Sequence, residues 1–341
     1  MRSRPSHSIA ALAGVVAILA VAGLRGTGAR ASTGPIPLDC NRACLENVVN
    51  QVLDAMVKHD PKGLPLSADL MYTENDQVMQ IGDGFWKTAE GRGNYSHIFA
   101  DPEFGQVAFM GTMREAGAVL LLSLRVRVEL GRISEIEAVY YRAGGGGPAG
   151  IADLDKPGYK AEDMWFKSIP VAQRLPRQQM ISIADAYFSG LQKNDGKGVN
   201  GTGTYPFTND CDRIENGAHT TNLPRRAGEA PDAVDGFSMD CLAQFKLGYY
   251  FVVQSIHHRR YPLVDAERGV VWSHAVFDQG TVNKGVLSTG QEYTFKGFNR
   301  PSSILVTEAF LIENGKIRRV EMVGPSVPYH LNSPWGGHSG N

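Results

Sequence analysis

The sequence predicts an α+β protein made of two related halves, each a sheet packed on helices. Three observations predict this fold class: a short block of residues returns 135 positions later, an amphipathic helical pattern precedes each block, and strand-like runs follow it. The chain has 341 residues, and at roughly 150 residues per domain this length also indicates two domains. Hydrophobic residues make up 43 % and charged residues 20 %, a composition that excludes a mainly disordered or collagen-like chain.

Residues 1–31 have the pattern of a secretory signal peptide. Arg2 and Arg4 precede an apolar run from residue 9 to 24, and Ala29–Ala31 supplies a small-residue cleavage motif. The apolar run is about 16 residues long, which is short for a membrane span of roughly 20. Cleavage is therefore favoured over an uncleaved anchor, and we expect a secreted or periplasmic protein with no stable membrane insertion afterwards.

The charge balance argues against nucleic acid as a partner. The formal net charge is −1, and removal of the four arginines in the leader would make it about −5. A protein that neutralises phosphates needs a basic surplus, which this chain lacks. The sequence also contains neither a P-loop nor a dinucleotide fingerprint, so we expect no cofactor.

Four cysteines follow the leader, and an even count in an exported chain favours disulfides over metal binding or catalysis. Three pairings are possible, and we favour Cys40–Cys44 with Cys211–Cys241, one bond in each half. Because two cysteines on one regular helix suit a disulfide poorly, Cys40 is then expected to precede the first helix.

An amphipathic helix opens each half of the repeat. The block Lys58–Gly63 of the first half corresponds to Lys193–Gly198 of the second, and apolar residues recur at helical spacing before both. These residues are Val48, Val49, Val52, Leu53 and Met56 in the first half, and Ile181, Ile183, Ala184, Tyr187 and Leu191 in the second. We take residues 32–143 as the N-terminal half and 177–328 as the C-terminal half.

The halves also end alike, with a glycine turn between two strand-like runs. Glu129–Ile133 resembles Glu313–Ile317 at an offset of 184 instead of 135, so the second half carries 49 extra residues. We expect much of this insertion between residues 218 and 240, where proline, glycine and charged residues predict a long loop. Residues 144–176 form a linker that opens with four glycines, and residues 329–341 form a tail.

The end of the first helix, Lys58–Asp60, the following segment Ser67–Glu74, and the turns at Gly131 and Gly315 carry a resemblance to a known superfamily. On these residues both halves resemble the NTF2-like superfamily, also called SnoaL-like or ketosteroid-isomerase-like. The resemblance implies two cone-shaped domains, each a curved antiparallel sheet wrapped around helices with a pocket between them. Related domains commonly dimerise through their sheets, so a homodimer is one option and internal pairing of the two halves is the other.

The C-terminal half is also similar to a family of uncharacterised secreted proteins with a related tandem arrangement. The stretches Asp212–Gly217 and Arg259–Asp265 carry this second likeness. It implies no activity, and the superfamily itself contains isomerases, dehydratases, cyclases, epoxide hydrolases, carbon–carbon lyases and proteins that only bind. Function must therefore be argued from the site.

The isomerase-like members of the superfamily place a carboxylate base opposite a tyrosine and a protonated acid. This pattern puts Glu74 at the base position of the first half, but apolar residues, Val52 and Leu124, stand at the two donor positions. The second half has Tyr187 at the tyrosine position and Glu308 at the acid position. A carboxylate among such apolar neighbours must be protonated or paired, although an outward orientation of Glu308 is an equal alternative.

The base position of the second half is the weak point of this likeness. Asn209 stands where the carboxylate belongs, and Asp210 or Glu215 could replace it after a one-residue strand shift. His274, in an apolar strand, is a second candidate base because its ordinary pKa suits neutral catalysis. A buried, hydrogen-bonded core histidine is the simpler alternative for His274.

Other polar residues of the C-terminal half are candidate substrate contacts. They are Glu215, Arg259, His257 and Trp272, together with Glu74 of the first half. Arg259 would clamp an anionic or phenolic group, or else only pair with nearby acids. A metal site made of His257, His274 and a carboxylate lacks any established ligand spacing, so we expect no metal.

These observations predict an exported, cofactor-independent lyase or isomerase. Its catalytic residues would be His274 or Asp210 as base, with Tyr187 and Glu308 as hydrogen-bond donors to an oxygen, in a cone that holds a small apolar or aromatic molecule. One alternative is a non-catalytic protein that binds an apolar ligand. A third is an epoxide-hydrolase-like enzyme, which needs Asp210 or Glu215 beside a deeply placed arginine.

Overall fold

The structure is a computed structural model that describes residues 40–143, 150–225, 233–295, 297 and 299–336. The predicted signal peptide and residues 144–149 of the predicted linker lie outside the described residues. Among the helices of this part of the chain, none combines the length and apolar character needed to cross a bilayer.

The N-terminal half is one helix on a six-stranded mixed sheet. Its elements are α1 (Arg42–Val57), β1 (Leu66–Glu74), β2 (Gln77–Val78), a 3-10 turn (Gly84–Lys87), β3 (Ala89–Asp101), β4 (Gln106–Glu115), β5 (Ala118–Glu129) and β6 (Arg132–Arg142). The strand order is β2-β1-β6-β5-β4-β3. Asn41 caps α1 by accepting a hydrogen bond from the Cys44 N–H, so Cys40 does precede the helix.

The segment between the halves contains α2 (Ile151–Leu154) and two 3-10 turns, Asp163–Phe166 and Val171–Gln173. It lies against both sheets. Trp165 is fully buried and contacts His97 and Phe99 of the first half, with ring centroids 5.1 Å and 5.6 Å away. This part of the linker is therefore a packed element of the fold.

The C-terminal half repeats the arrangement with additions. Its elements are α3 (Arg177–Leu191), a 3-10 turn (Val199–Gly201), β7 (Phe207–Glu215), β8 (Ala218–His219), a 3-10 turn (Gly236–Ser238), α4 (Cys241–Lys246), β9 (Val253–Asp265), β10 (Val270–Gln279), β11 (Lys284–Val286), β12 (Glu292–Thr294), β13 (Ser302–Glu313), β14 (Lys316–Val323) and β15 (Ser326–Val327). The main sheet has the order β8-β7-β14-β13-β10-β9, with β15 paired to β13. The strands β11 and β12 form a separate hairpin.

The expectation of purely antiparallel sheets is wrong in one respect. In each half the first long strand runs parallel to the last, β1 beside β6 and β7 beside β14. In the first half β3 to β6 form an antiparallel meander, and β6 then pairs with β1 in the same direction, so no short turn joins these two strands. The broader prediction of an α+β protein with two sheet bodies is confirmed.

The extra length of the second half is divided between two places. The predicted segment contains β8, the 3-10 turn at Gly236–Ser238 and the described parts of a loop, and α4 begins directly after it. Residues 226–232 lie outside the described residues. The connection from β10 to β13 holds another large part, because residues 280–301 replace the two-residue turn Ala116–Gly117 of the first half. The prediction that much of the insertion lies between residues 218 and 240 is therefore only partly right.

Both predicted disulfides are present, Cys40–Cys44 at the start of α1 and Cys211–Cys241 between β7 and α4. Such bonds are typical of proteins that fold in an oxidising compartment.

The two sheets pack against each other through the faces that point away from their own helices. The apolar part of this intersheet layer includes Leu121 and Met110 of the first half, and Leu263, Trp272 and Leu311 of the second. Charged groups of both halves are buried in the same layer. The candidate sites therefore lie in three regions: the two sheet interiors, the intersheet layer and the outer surface.

Candidate functional site

The register of β10 and β13 decides which candidate residues face each other. Ser273 lies opposite Glu308, and His274 lies opposite Thr307. Side chains alternate between the two faces of a strand, so Glu308 points into the interior of the C-terminal half and His274 points into the intersheet layer. The expectation that both belong to one chamber is corrected by this register.

Inside the C-terminal half, Tyr187 of α3 and Glu308 of β13 lie together. Both are fully buried or nearly so, at 1 % and 2 % exposure. Burial raises the pKa of Glu308 well above its ordinary value, and the charge of Glu215 adds to this, while Arg213 and the hydroxyl of Tyr187 act in the opposite direction. Glu308 Oε2 has no hydrogen-bond partner among the described residues, which suits a neutral carboxyl group.

The chamber expected around this pair is filled by aromatic side chains. Phe245 of α4 lies 5.2 Å from Tyr187 and 4.8 Å from Phe207 between ring centroids, and Phe310 lies 5.1 Å from Tyr187. The Cys211–Cys241 bond joins the first residue of α4 to β7. The helix α4 thus acts as a plug. It begins directly after residues 218–240, the segment predicted as a long loop, and no helix was predicted at this position.

The two carboxylates proposed as replacement bases lie elsewhere. The side chain of Asp210 is 62 % exposed and pairs with Arg318 at 3.1 Å, so it points outward. Glu215 pairs with Arg213 at 2.8 Å, and the Arg213 side chain is only 10 % exposed. Both carboxylates pair with an arginine, but only the partner of Glu215 is deeply placed, as the hydrolase alternative requires.

The remaining candidates of the second half are structural contacts. Arg259 donates to Ser189 at 2.9 Å and to Gln192 at 3.0 Å, and so fastens α3 to β9. The Trp272 indole donates to Ser123 Oγ of the first half at 3.1 Å in the intersheet layer. Neither residue reaches the interior of the C-terminal half. Trp272 lies on the face of β10 that points away from it, and Arg259 lies at the edge of α3.

Glu74 is buried in the interior of the N-terminal half and is saturated with donors. It accepts hydrogen bonds from the Phe85 N–H at 2.8 Å, from the Tyr140 hydroxyl at 2.9 Å and from the Tyr72 hydroxyl. Burial and the charge of Glu74 raise the pKa of Tyr140 to about 12. Two tyrosines, Tyr72 and Tyr140, thus donate hydrogen bonds to Glu74 itself, and neither was predicted.

The intersheet layer contains a central ion cluster of Asp76, Glu137, His274, Arg125 and Arg260. His274 Nε2 lies 3.2 Å from Asp76 Oδ1 and 3.5 Å from Glu137 Oε1, and all three side chains are closed to solvent. Glu137 also pairs with Arg260 and, at 2.7 Å, with Arg125. Burial opposes ionisation of Glu137, but the charges of Arg260 and Arg125 outweigh it and lower its pKa to about 2.

A second group in the same layer, the histidine cluster, consists of His257 of β9, Asp278 of β10 and His330 of the tail. His330 Nδ1 lies 2.7 Å and His257 Nε2 lies 3.3 Å from Asp278 Oδ2. Ser303 Oγ donates to the other carboxylate oxygen of Asp278 at 2.5 Å. His257 and His330 differ in exposure, since the side chain of His257 is 7 % exposed and that of His330 is 70 % exposed.

A groove of about 430 Å³ lies on the outer side of the C-terminal half. Its walls come from the linker segment, the start of α3, the β9–β10 turn and the β13–β14 turn. They are formed by Met164, Lys167, Ser168, Ile169, Pro170, Gln173, Leu175, Met180, Ala266, Arg268, Gly269, Leu311, Ile312, Glu313, Asn314, Gly315 and Arg318. We refer to this cavity as the linker groove.

Sequence similarity gives little further guidance. Residues 173–324 match a protein family that is described as a domain of unknown function, DUF8021. The match runs from just before α3 to just after β14. A search of curated proteins found no match to this chain.

Sequence reasoning missed several polar residues that the fold brings into the intersheet layer, among them Asp76, Glu137, Asp278 and His330. Asp278 had a usable signal, because it lies four residues after His274 and so on the same face of one strand. The others are brought in by contacts between the halves or by the tail. The pattern of one segment carries no information about such distant contacts.

Proposed function

We propose that this protein is an exported, non-catalytic binding protein that holds a small amphipathic molecule in the linker groove. One observation carries the proposal: the groove combines an apolar wall with arginine side chains at a volume of about 430 Å³. Ligand sites in proteins are typically cavities of 300–1,000 Å³ with mostly apolar walls and a few placed polar groups.

The apolar part of the groove would hold the body of the ligand. Ile169, Leu175 and Ile312 contribute to its wall, and Met180 of α3 is buried there at 1 % exposure. Burial of apolar ligand surface against such side chains contributes about 25 cal/mol per Å² before the costs of binding are subtracted.

The charged part of the groove favours an anionic head group. Lys167, Arg268 and Arg318 line it against a single acid, Glu313. Arg318 Nε is buried without a hydrogen-bond partner, although its other nitrogens pair with Glu313 and Asp210. An anionic oxygen would supply that missing acceptor in a charge-assisted hydrogen bond.

The same residues argue against catalysis in the groove. Its ionisable lining residues are one lysine, two arginines and one glutamate that is paired with Arg318. None of them is a histidine, and general acid–base catalysis near neutral pH usually depends on a group that titrates there.

Fluorescence titration with anilinonaphthalene sulfonate, an apolar anion, tests this proposal. We expect saturable binding of one probe per chain and displacement by decanoate but not by decyltrimethylammonium. Ile169→Trp should abolish binding by filling the groove, and Arg318→Gln should weaken it about tenfold or more. Arg319→Gln is the matched control, because Arg319 pairs with Glu162 and Asp212 and does not line the groove. Unsaturable binding, or equal binding by Ile169→Trp, would refute the proposal.

A second candidate function, a lyase or isomerase, is favoured by Glu308, whose pKa burial raises, beside Tyr187. Both groups would donate hydrogen bonds to an oxygen that gains negative charge in the transition state. A substrate could reach them only if Phe245 and α4 move aside, since Phe245 packs against Tyr187. The Arg213–Glu215 pair lies beside them, so the epoxide-hydrolase-like alternative would use the same interior.

The variant Phe245→Ala tests this second candidate. Removing the ring should open a cavity that binds para-nitrophenol, and Tyr187 and Glu308 should stabilise its phenolate form, which is detected by its absorption. Tyr187→Phe in the same background should reverse that absorption change. Binding without any spectral change would mean that the pair does not stabilise negative charge.

A further inference from the structure

We propose that the histidine cluster, His257, Asp278 and His330, binds one divalent transition-metal ion, and that zinc is the ion that suits it best. Two imidazoles and a carboxylate are a common ligand set for zinc sites that keep a fourth position open. This inference is independent of the linker groove, which shares no residue with the cluster.

The distances in the cluster fit a common metal ion. One ligand atom from each residue lies within 4.8 Å of the other two. With zinc–ligand bonds of about 2.0–2.1 Å, two ligands on a tetrahedral ion lie roughly 3.3 Å apart. His257 Nε2 already lies 3.3 Å from Asp278 Oδ2, and His330 Nδ1 needs to move outward only slightly from 2.7 Å.

A buried nitrogen without a partner points into this cluster. His257 is 5 % exposed, and its Nε2 makes no hydrogen bond among the described residues although Asp278 is close. Leaving a buried polar atom unpaired is unfavourable, and a bound cation would give this nitrogen a partner.

Surrounding hydrogen bonds hold the carboxylate and the tail in place. Ser303 Oγ donates to Asp278 Oδ1 at 2.5 Å and accepts from the His330 backbone N–H at 2.8 Å. Contacts of this kind orient metal ligands and typically change metal affinity 10–100-fold when they are lost. Because the His330 side chain is 70 % exposed, solvent can reach a fourth coordination position.

The central ion cluster is the weaker metal candidate, although Asp76, Glu137 and His274 also lie close together. Both oxygens of Glu137 already accept hydrogen bonds from Arg260 and Arg125. A cation placed there would lie next to two guanidinium groups and would be repelled by both.

Isothermal titration of the untagged secreted protein with zinc chloride, after treatment with EDTA, tests the assignment. We expect one zinc ion per chain with a Kd in the micromolar range or below. His330→Ala and Asp278→Asn should weaken binding by at least about 100-fold and Ser303→Ala by about tenfold. His219→Ala is the matched control, because His219 pairs with Asp212 at 2.7 Å but belongs to no such three-residue cluster among the described residues.

Three outcomes would overturn the proposal. The first is a wild-type Kd for zinc above about 100 µM, which is far weaker than the affinity of structural zinc sites. The second is unchanged affinity in His330→Ala. The third is loss of binding in His274→Ala with the histidine cluster intact. The His330 side chain is exposed, so its removal is not expected to prevent folding. Circular dichroism of each variant verifies this.

Discussion

Arg260 of the second half and Glu137 of the first form an ion pair in which the Glu137 side chain has no exposure to solvent. Arg125 completes the neutralisation of Glu137 from within the first half. The pair thus joins β9 to β6 across the intersheet layer, and its energetic role can be measured directly.

Replacing Arg260 with methionine should lower the free energy of unfolding by about 3–5 kcal/mol, since it leaves a buried carboxylate short of one counter-charge. Urea unfolding monitored by tryptophan fluorescence measures this change. Lys156→Met serves as the comparison, because the Lys156–Asp153 pair is largely exposed and should contribute less than about 1 kcal/mol. A loss of under 1 kcal/mol in Arg260→Met would contradict the buried pairing.

The same carboxylate predicts an acid dependence. The pKa of Glu137 is lowered to about 2 in the folded protein, and an unfolded glutamate has a pKa of about 4.3. A depressed pKa stabilises the fold above about pH 4.3, and this contribution is lost as the pH falls towards 2. Glu137→Gln should therefore be clearly less stable than wild type at neutral pH, and the difference should shrink below pH 4. A difference in unfolding free energy that stays constant from neutral pH to below pH 4 would argue against a lowered pKa of Glu137.

Glu308 predicts a pH dependence of the opposite sign. Burial raises its pKa well above the ordinary value, so its contribution is fully present below the unfolded pKa of about 4.3 and is lost as the pH rises through the folded pKa. Compared with Glu308→Gln, the wild type should lose at least about 1 kcal/mol of unfolding free energy between pH 4 and pH 8, since each pKa unit is worth about 1.4 kcal/mol. Denaturant titrations at both pH values measure the difference in unfolding free energy between wild type and Glu308→Gln. Parallel pH profiles would mean that Glu308 is ionised or solvated.

The two disulfides should differ in what they contribute. The loop-entropy argument gives about 3.5 kcal/mol for the Cys211–Cys241 bond, whose residues are 30 apart in sequence, and about 2 kcal/mol for Cys40–Cys44, whose residues are 4 apart. Paired alanine variants at each bond, compared by thermal unfolding, should therefore rank in this order. Loss of the Cys211–Cys241 bond should also free α4 and make the chain around Phe245 more sensitive to proteolysis. The reverse order would contradict the role of α4 as a fixed plug.

Two glycines with the same backbone conformation form a matched test of the linker groove wall. Gly269 and Gly315 have φ of 73° and 75°, which both disfavour a side chain. A Cβ at Gly269 would meet Ile169 Cδ1 and the Ile312 carbonyl oxygen at 2.8 Å, whereas a Cβ at Gly315 would meet nothing within 4 Å. Gly315→Ala should cost about 1 kcal/mol, and Gly269→Ala should cost more. Equal losses of unfolding free energy in chemical denaturation would show that the groove wall around Gly269 shifts at little energetic cost.

Much of the architecture could be predicted because its signals are local. The repeat at an offset of 135 residues, the helical spacing before Lys58 and the cysteine positions each depend on one short stretch of chain. The alternation along β5 is a signal of the same kind, since Leu122 and Leu124 are buried in the first core while Arg125 lies in the intersheet layer. Local patterns of this kind are decided by periodicity and backbone geometry.

The candidate site could not be predicted as fully, because it depends on register and on contacts between distant segments. His274 and Glu308 both stand in apolar strands, and only the pairing of β10 with β13 shows that they face opposite ways. The partner of His274, Asp76, comes from a turn in the other half of the chain. The position of Phe245 depends on a six-residue helix whose sequence alone gives no reason to expect it inside the core.

The packing of sheet against sheet means that neither repeat is a self-sufficient protein. A chain that ended after β6 would leave Arg125 and Glu137 on an open surface and would lose the ring of Trp272 that covers Ser123. The remaining repeat would likewise present Leu263 and Leu311 to water and favour aggregation. Each repeat therefore acts as the permanent partner subunit of the other, and we expect neither to stay soluble when it is expressed alone.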